Sequence, residues 1–337
     1  MTHAPAKGSP MRAVQIRRTG GPDVLELTEL PVPEPRSGEV LLKVEAAGVN
    51  FADIMVVAGT YLTPTQTPLV PGLEVAGRVV ALGPDVQGVA VGRRVAALVG
   101  RGGFAEFVRA PAASLVPVPE AWSAKEAAAF PVSFFTAYGA LKALGRAQAG
   151  ERVLVQAAGG ALGTATVQLA KALGLEVIGA ASSDQKLELA RRLGADHTVL
   201  AERDAPFERV LAGVREATGG RGVDLICEIT GGEDFERNLE LLAPYGRILV
   251  IGAASGRMPT LNPLRLMYKN QAVIGVWLSE LAKDAAVMGE ASAFLGDLLA
   301  AGRVKPVVGR TFPLEAAADA FRWIQSRHNQ GKVLLKP

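Results

Sequence analysis

Between Met11 and about Trp122 the apolar positions come in short runs broken by glycine and proline: Ala13-Val-Gln-Ile16, Val40-Leu-Leu-Lys-Val44, Val75-Ala-Gly-Arg-Val-Val80, Arg94-Val-Ala-Ala-Leu98 and Phe104-Ala-Glu-Phe-Val108. Runs of this length read as strands, and few helices fit around them, so the pattern predicts a β-barrel-like domain. From about Ser123 to Leu261 the texture changes. Strand-like runs at Val153–Gln156, Val177–Ala180, Thr198–Leu200, Val223–Cys227 and Arg247–Ile251 alternate with segments of helical spacing. That alternation predicts a parallel sheet with right-handed crossovers. After Leu261 come a strand-like Ala272-Val-Ile-Gly-Val-Trp-Leu278, helices near Asp284–Ala301 and Leu314–Ser326, and a final strand at Lys332–Leu335.

The stretch from Val153 to Gly174 carries the strongest local signal. Apolar Val153-Leu-Val155 leads into Gly159, Gly160 and Gly163, and Val167, Leu169, Ala170 and Leu173 then come at helical spacing. Strand, glycine-rich turn, helix and a second strand (Glu176-Val-Ile-Gly-Ala-Ala181), in that order, form the front end of a dinucleotide site. A pyrophosphate is expected against Gly159, Gly160, Ala161, Leu162 and Gly163, where the helix presents unpaired N–H groups and the positive end of its dipole. Glycines also mark ordinary turns, so the succession of elements carries this reading.

The residues after the second strand select the dinucleotide. An NAD site places a carboxylate there, roughly 20 residues past the glycines, to bond the ribose 2′-hydroxyl. This chain has Ala180-Ala181, then Ser182, Ser183 and, one helical turn on, Lys186. No acid repels a 2′-phosphate, and two hydroxyls and an ammonium receive it, so the expected cofactor is NADPH. Ser183 or Asp184 also reads as a helix cap and Lys186 as a surface charge; capping and phosphate binding are compatible.

Composition adds bounds. A chain of 337 residues suggests two domains, and 49% hydrophobic with 20% charged residues is ordinary for a soluble globular protein. The net charge is only +3, with Lys and Arg interleaved with acids, so no nucleic-acid face is expected. The uncharged stretch Ala127 to Leu141 is interrupted by Pro131 and is too short to cross a bilayer, so no membrane partner is expected. Residues 1–10 lack the apolar core of a secretory signal and read as a disordered extension. A single cysteine precludes an intramolecular disulfide and fits a cytoplasmic location.

Further motifs accompany the glycine turn: Gly48-Val-Asn-Phe-Ala-Asp53, Pro71-Gly-Leu-Glu-Val-Ala-Gly77, Thr136-Ala-Tyr-Gly139, Gln168-Leu-Ala-Lys-Ala-Leu-Gly174, Lys186, Gly194-Ala195, Gly222-Val-Asp224 and Gly331-Lys-Val333. With these, the chain from Met11 to its end resembles the zinc-independent medium-chain dehydrogenase/reductases, most closely the quinone oxidoreductase (zeta-crystallin-like) branch. The resemblance implies an α/β fold: a GroES-like β-barrel catalytic domain over residues 11–122 and a Rossmann doubly wound parallel-sheet domain over 123–270. Residues 271–337 would then supply the edge strand of the Rossmann sheet and return to the catalytic domain. The implied cofactor-binding set extends to Gly252, Ala253 and Lys332. Two departures stand out: Ala161 occupies the place of the family turn's second glycine, and Ala201 the place where some relatives carry a tyrosine near the 2′-phosphate.

The superfamily's other branch uses catalytic zinc, which needs thiolate or imidazole ligands. The matching positions here are Asn50, Leu73 and Val132. His3, His197, His328 and Cys227 form no constellation with metal-ligand spacing, so no metal is expected. The histidines read as surface or packing residues and Cys227 as a small core hydrophobe.

Without zinc the chemistry falls to the nicotinamide, with the protein orienting an electron-poor acceptor and stabilising its developing negative charge. Asn50 is the first candidate for a polar contact near the nicotinamide or the substrate carbonyl, its other reading being a hydrogen bond within a buried loop. Tyr61 is a candidate proton donor or cover for the acceptor, or else a packing ring. Thr136 is a nicotinamide-side contact by resemblance, and Asp53 reads as structural. The expected function is NADPH-dependent reduction of quinones or related α,β-unsaturated carbonyls. A 2-enoyl thioester reductase shares the scaffold, and a non-catalytic NADPH-binding crystallin-like protein is the alternative from another class. Finally, the apolar run Ala272–Leu278 carries neither proline nor charge to protect a sheet edge, and relatives pair this edge across a two-fold axis, so a homodimer is expected.

Overall fold

The computed structural model describes residues 5–6, 8–202, 205–257 and 259–337. The extension expected at residues 1–10 falls partly outside these, and the first strand already begins at Pro10. Two compact units emerge, one formed by Met1–Val132 with Lys305–Pro337 and the other by Ser133–Val304.

The first unit opens with β1 (Pro10–Gln15) and β2 (Glu26–Pro31), an antiparallel pair. Next come β3 (Glu39–Val49), α1 (Phe51–Ala58), β4 (Glu74–Leu82), β5 (Arg94–Leu98), β6 (Phe107–Pro111), β7 (Leu115–Val116) and α2 (Ala124–Ala128). Strand β3 organises the unit by pairing with both β4 and β6. Its side chains alternate in the way a pleated strand requires: Val40, Leu42 and Val44 enter the main core, while Leu41 enters a second cluster with Met11, Ala13 and Val80. Bulges between Leu41 and Leu42 and between Val44 and Ala46 re-aim the strand. Phe104 and Phe321 close the main core edge to face at 6.2 Å, a geometry worth roughly 0.5–1.5 kcal/mol beyond the area buried.

Helix α2 begins in a capping box: Ser123 accepts from the Glu126 N–H, and the Glu126 carboxylate accepts from the Ser123 N–H at 2.8 Å. Its Ala127, Ala128 and Ala129 pack on Ala46, Ala76 and Ala96. Small residues on both sides let helix and strands approach closely. This packing carries the first unit to Val132, ten residues beyond the composition change at Trp122.

The second unit starts within α3 (Pro131–Tyr138) and contains β8 (Arg152–Val155), α4 (Ala161–Ala172), β9 (Glu176–Ala181), α5 (Asp184–Arg192), β10 (His197–Leu200), α6 (Phe207–Thr218), β11 (Val223–Glu228), α7 (Asn238–Leu241), β12 (Leu242–Val250), β13 (Ala272–Gly275), α8 (Leu278–Leu281) and α9 (Ala285–Ala300). All strand pairings are parallel, in the order β10-β9-β8-β11-β12-β13. This is the doubly wound arrangement that the alternating pattern predicts, with its order reversing between β8 and β11. Ile178, Leu154, Ile226, Ile248 and Val273 lie in register across five strands and form one apolar row. The chain then returns to the first unit through β14 (Val308–Pro313), α10 (Ala317–Gln325) and β15 (Lys332–Lys336). Strand β15 pairs antiparallel with β3, Val333 opposite Val49 and Leu334 opposite Gly48. Among the described residues no helix is long and apolar enough to cross a membrane.

Candidate functional site

In the second unit the expected cofactor residues gather at the carboxyl ends of the strands. Beyond β8 the chain bends through Ala157, held at φ 50°, into the glycine turn. Gly160 caps α4 in an extended conformation, and Ala161, Leu162 and Gly163 are the helix's first three residues, so their N–H groups point out of its end. A methyl group on Gly163 would collide with the carbonyl oxygen of Ala157 and come within 2.7 Å of Ala158 Cα, whereas one on Gly160 would meet only Ala157 O at 3.3 Å. Gly163 is therefore demanded by turn–helix packing. Ala161 fits because its position has become the first helical residue rather than part of the tight approach.

Strand β9 ends at buried Ala181, with no acid in place. Ser182 is exposed, Ser183 caps α5 in extended conformation, and Lys186 lies one turn into that helix. The Lys186 stem covers Gly159: a methyl group there would lie 2.6 Å from both Cβ and Cγ of the lysine. The glycine turn and the lysine thus form one constellation. Ala201 comes just after β10 and donates its N–H to Ala181 O at 2.8 Å. Gly252 and Ala253 lie past β12 on a loop stitched to the end of β11, with Ile251 N–H on Glu228 O (2.9 Å) and Ala254 N–H on Ile229 O (3.0 Å). Thr136 is buried in α3.

Three polar residues at the switch between β8 and β11 escape a motif search. Glu228 is fully buried; its Oε1 accepts from Thr230 N–H, Thr230 Oγ1 and Gly231 N–H, while Oε2 has no partner among the described residues. Burial pushes its carboxyl pKa up, against the pull of those donors. Gln156 accepts from Thr230 Oγ1 at 2.8 Å and donates to Asn238. Only the charge that ends the strand after the apolar Leu225-Ile-Cys227 hinted at Glu228.

The first unit holds a second constellation around Asn50, the residue that starts α1. Its Oδ1 accepts from Lys332 Nζ at 2.6 Å, and its Nδ2 donates to Glu74 Oε1 at 3.0 Å. Glu74 also forms an ion pair with Lys332 and accepts the Val132 N–H at 2.7 Å through Oε2. Lys332 and Glu74 are sealed, at 1% and 0% exposure. Gly48 makes the room: a methyl group there would lie 2.5 Å from Glu74 Oε1. Lys332 is thus not the cofactor ligand expected from the sequence; the β15–β3 register puts it beside Asn50, and its ammonium is engaged by Asn50 and Glu74. Asp53 anchors the same turn by accepting from Asn50 N–H (2.8 Å) and Gly72 N–H (3.2 Å). Burial pushes its carboxyl up to about 7, opposed by the Asn50 hydrogen bond and the Lys332 charge. Tyr61 lies half-buried just beyond α1, whose last turn ends at left-handed Gly59.

Asn50 and Val132, two of the three positions that the resemblance matches to zinc ligands, both bond Glu74, and the third, Leu73, precedes it in the chain. Their side chains are an amide and two hydrocarbons. Among the described residues no group of three or more His, Cys, Asp or Glu is arranged to hold a metal. His197 bonds Glu176 at the surface, His328 packs at a tilt against Trp323, and Cys227 is buried in β11.

A doubly wound sheet with a glycine turn at its switch point, in one chain with a β-rich unit, defines a dinucleotide-dependent dehydrogenase or reductase. Residues 161–294 match the zinc-binding dehydrogenase family and residues 36–120 the alcohol dehydrogenase GroES-like domain. Quinone oxidoreductase of Rattus norvegicus is 37% identical over 331 residues, covering 96% of this chain and 97% of that protein. Among solved structures, the quinone oxidoreductase of Thermus thermophilus, described with its NADPH complex, is 47% identical with a TM-score of 0.85, covering 97% of this chain and 100% of that one. The Escherichia coli quinone oxidoreductase complexed with NADPH is 29% identical with a TM-score of 0.88, at 97% and 100% coverage. The chain belongs to the quinone oxidoreductase family of medium-chain dehydrogenase/reductases.

Proposed function

We propose that this chain is an NADPH-dependent, zinc-independent reductase of quinones or related α,β-unsaturated carbonyls. The observation that carries the reading is the cradle in which Lys186, just past the β9 strand that closes on Ala181, covers Gly159 in the turn that follows β8. The residues fit the cofactor. The N–H groups of Ala161, Leu162 and Gly163 suit the pyrophosphate, and Lys186 with Ser182 and Ser183 suits the 2′-phosphate. Gly252 and Ala253 offer backbone, and Thr136 a hydroxyl, to the nicotinamide end. NADPH, when bound, supplies a hydride to the acceptor.

The chain's own part is to stabilise the oxygen on which negative charge develops and to return a proton to it. Asn50 offers an N–H and Tyr61 a phenolic hydroxyl for those roles, so that one hydride and one proton convert a quinone to its hydroquinone, or an enone to the saturated ketone. Zinc independence is supported by the side chains at Asn50, Leu73 and Val132, none of which is a customary zinc ligand.

A homodimer is supported by β13, which among the described residues pairs on one side only and follows closely in the chain the exposed Leu264, Met267 and Tyr268. A cytoplasmic location is supported by the lone, unpaired cysteine. NADPH oxidation across quinones, enones and enoyl thioesters, repeated after chelation with zinc analysis, tests the reading. Turnover with quinones that survives chelation is expected. Turnover confined to enoyl thioesters, or lost together with stoichiometric zinc, defeats it.

A further inference from the structure

The amide of Asn50 is held in one orientation by two buried charges. An ammonium has donors and no acceptor, so the group 2.6 Å from Lys332 Nζ must be the amide oxygen. Glu74 receives Lys332, the Val132 N–H and Asn50, and so acts as an acceptor throughout; the group facing it must be the NH2. Turning the amide over would set N–H against ammonium and oxygen against carboxylate. One Nδ2 hydrogen is given to Glu74, and the other remains on a half-buried side chain above a sealed ion pair.

We propose that Glu74 and Lys332 are positioning residues that present the second Nδ2 hydrogen of Asn50 to the carbonyl oxygen of the acceptor. The proposal rests on the quinone-reductase reading above. As hydride adds to the acceptor, that oxygen gains negative charge, and a donor fixed beforehand stabilises it without reorganisation. A flipped amide would present its own oxygen and repel the charge. Lys332, bonded to the far side of the same amide, also draws electrons from it and strengthens the N–H as a donor. The arrangement selects acceptors with a hydrogen-bond-accepting carbonyl conjugated with the carbon or ring that takes the hydride.

The double variant Glu74→Gln/Lys332→Met tests this without leaving a buried charge unpaired. Glutamine keeps the carboxylate's shape, turns its oxygen to the Val132 N–H and its NH2 toward Asn50, and so removes the bias on the amide. With 1,4-benzoquinone as probe, kcat/KM is expected to fall on the order of tenfold to a hundredfold, with NADPH affinity, read by fluorescence titration, unchanged. Adding Asn50→Ala to this background should then cost little more, whereas in the wild type it should cost as much as the double variant. If the glutamine form does not fold, Glu74→Leu/Lys332→Met serves, since apolar replacement of a buried ion pair is commonly tolerated. A folded double variant with wild-type turnover, or an Asn50→Ala loss of equal size in both backgrounds, overturns the proposal. A wild type that oxidises no NADPH with any quinone defeats the underlying reading instead, and shows it before any variant is made.

Discussion

Lys332 Nζ donates to Asn50 Oδ1 across 2.6 Å although 282 residues separate them in the chain. The contact exists because β15 lies antiparallel to β3 with Val333 opposite Val49, which sets the lysine beside the residue that opens α1. One register, fixed by a C-terminal strand, therefore decides the environment of a candidate acceptor contact near the chain's other end.

Asp53, in the same network, gives the fold a pH dependence. Its carboxyl is raised by burial from about 3.8 to about 7. A raised folded-state value means the unfolded chain ionises first, so stability is fully present below about 4 and is lost as pH rises toward 7. Asp53→Asn, which cannot ionise, should gain thermal stability relative to wild type on going from pH 4 to pH 7.5. A constant difference in Tm across that range would show that Asp53 is ionised in the fold.

Gly163 and Gly160 should respond differently to the same methyl group. Gly163→Ala forces the turn away from Ala157 and Ala158, and should destabilise by about 1–3 kcal/mol with loss of NADPH binding. Gly160 has φ −82° and ψ 177°, open to any residue, so Gly160→Ala should leave Tm nearly unchanged. Calorimetry on the pair decides; equal losses would mean the turn differs from the one described.

Lys186→Glu should weaken NADPH far more than NADH, by about 1.5–3 kcal/mol, the value of a charge-assisted bond. Equal weakening of both cofactors would mean that the lysine serves only to cover Gly159.

The edge strand admits a sharper test than its sequence suggests. Val276 N–H bonds Val250 O on β12, and strand N–H groups alternate in direction, so Ile274 also faces β12 while Val273 and Gly275 face the open edge. Val273→Pro should therefore remove an edge donor while keeping the hydrogen bonds to β12, shifting a dimer toward monomer in light scattering. An unchanged mass would place the subunit contact elsewhere, and a monomeric wild type would end the proposal.

The glycine turn of the second unit, the missing acid at Ala181 and the nearby Lys186 were legible in the sequence because all lie within a short span of chain, and the unit's strands because each carries its own apolar run. Local periodicity and turn chemistry determine such a unit before any long-range contact forms. Legible too were most strands of the first unit. Strand β2 was not, since its partly exposed, charge-interrupted Glu26-Leu-Thr-Glu-Leu-Pro31 carries no apolar run. The apolar run Ala272–Leu278 proved strand only to Gly275, because Trp277 opens α8.

What tertiary structure decided is the company each polar residue keeps. Glu74 belongs to one sequence motif and Lys332 to another, and no spacing rule connects positions 74, 50 and 332. The return of β15 to β3 closes that triangle, and the space left by Gly48 lets the carboxylate enter it. The pairing moved Lys332 from an expected cofactor ligand to a buried partner of Asn50. Glu228 likewise became notable only once the order of parallel strands set it at the switch between β8 and β11. Periodicity is a property of neighbours in the chain, whereas burial, pairing and perturbed ionisation belong to neighbours in space; a single sequence carries the first directly and the second only through its fold.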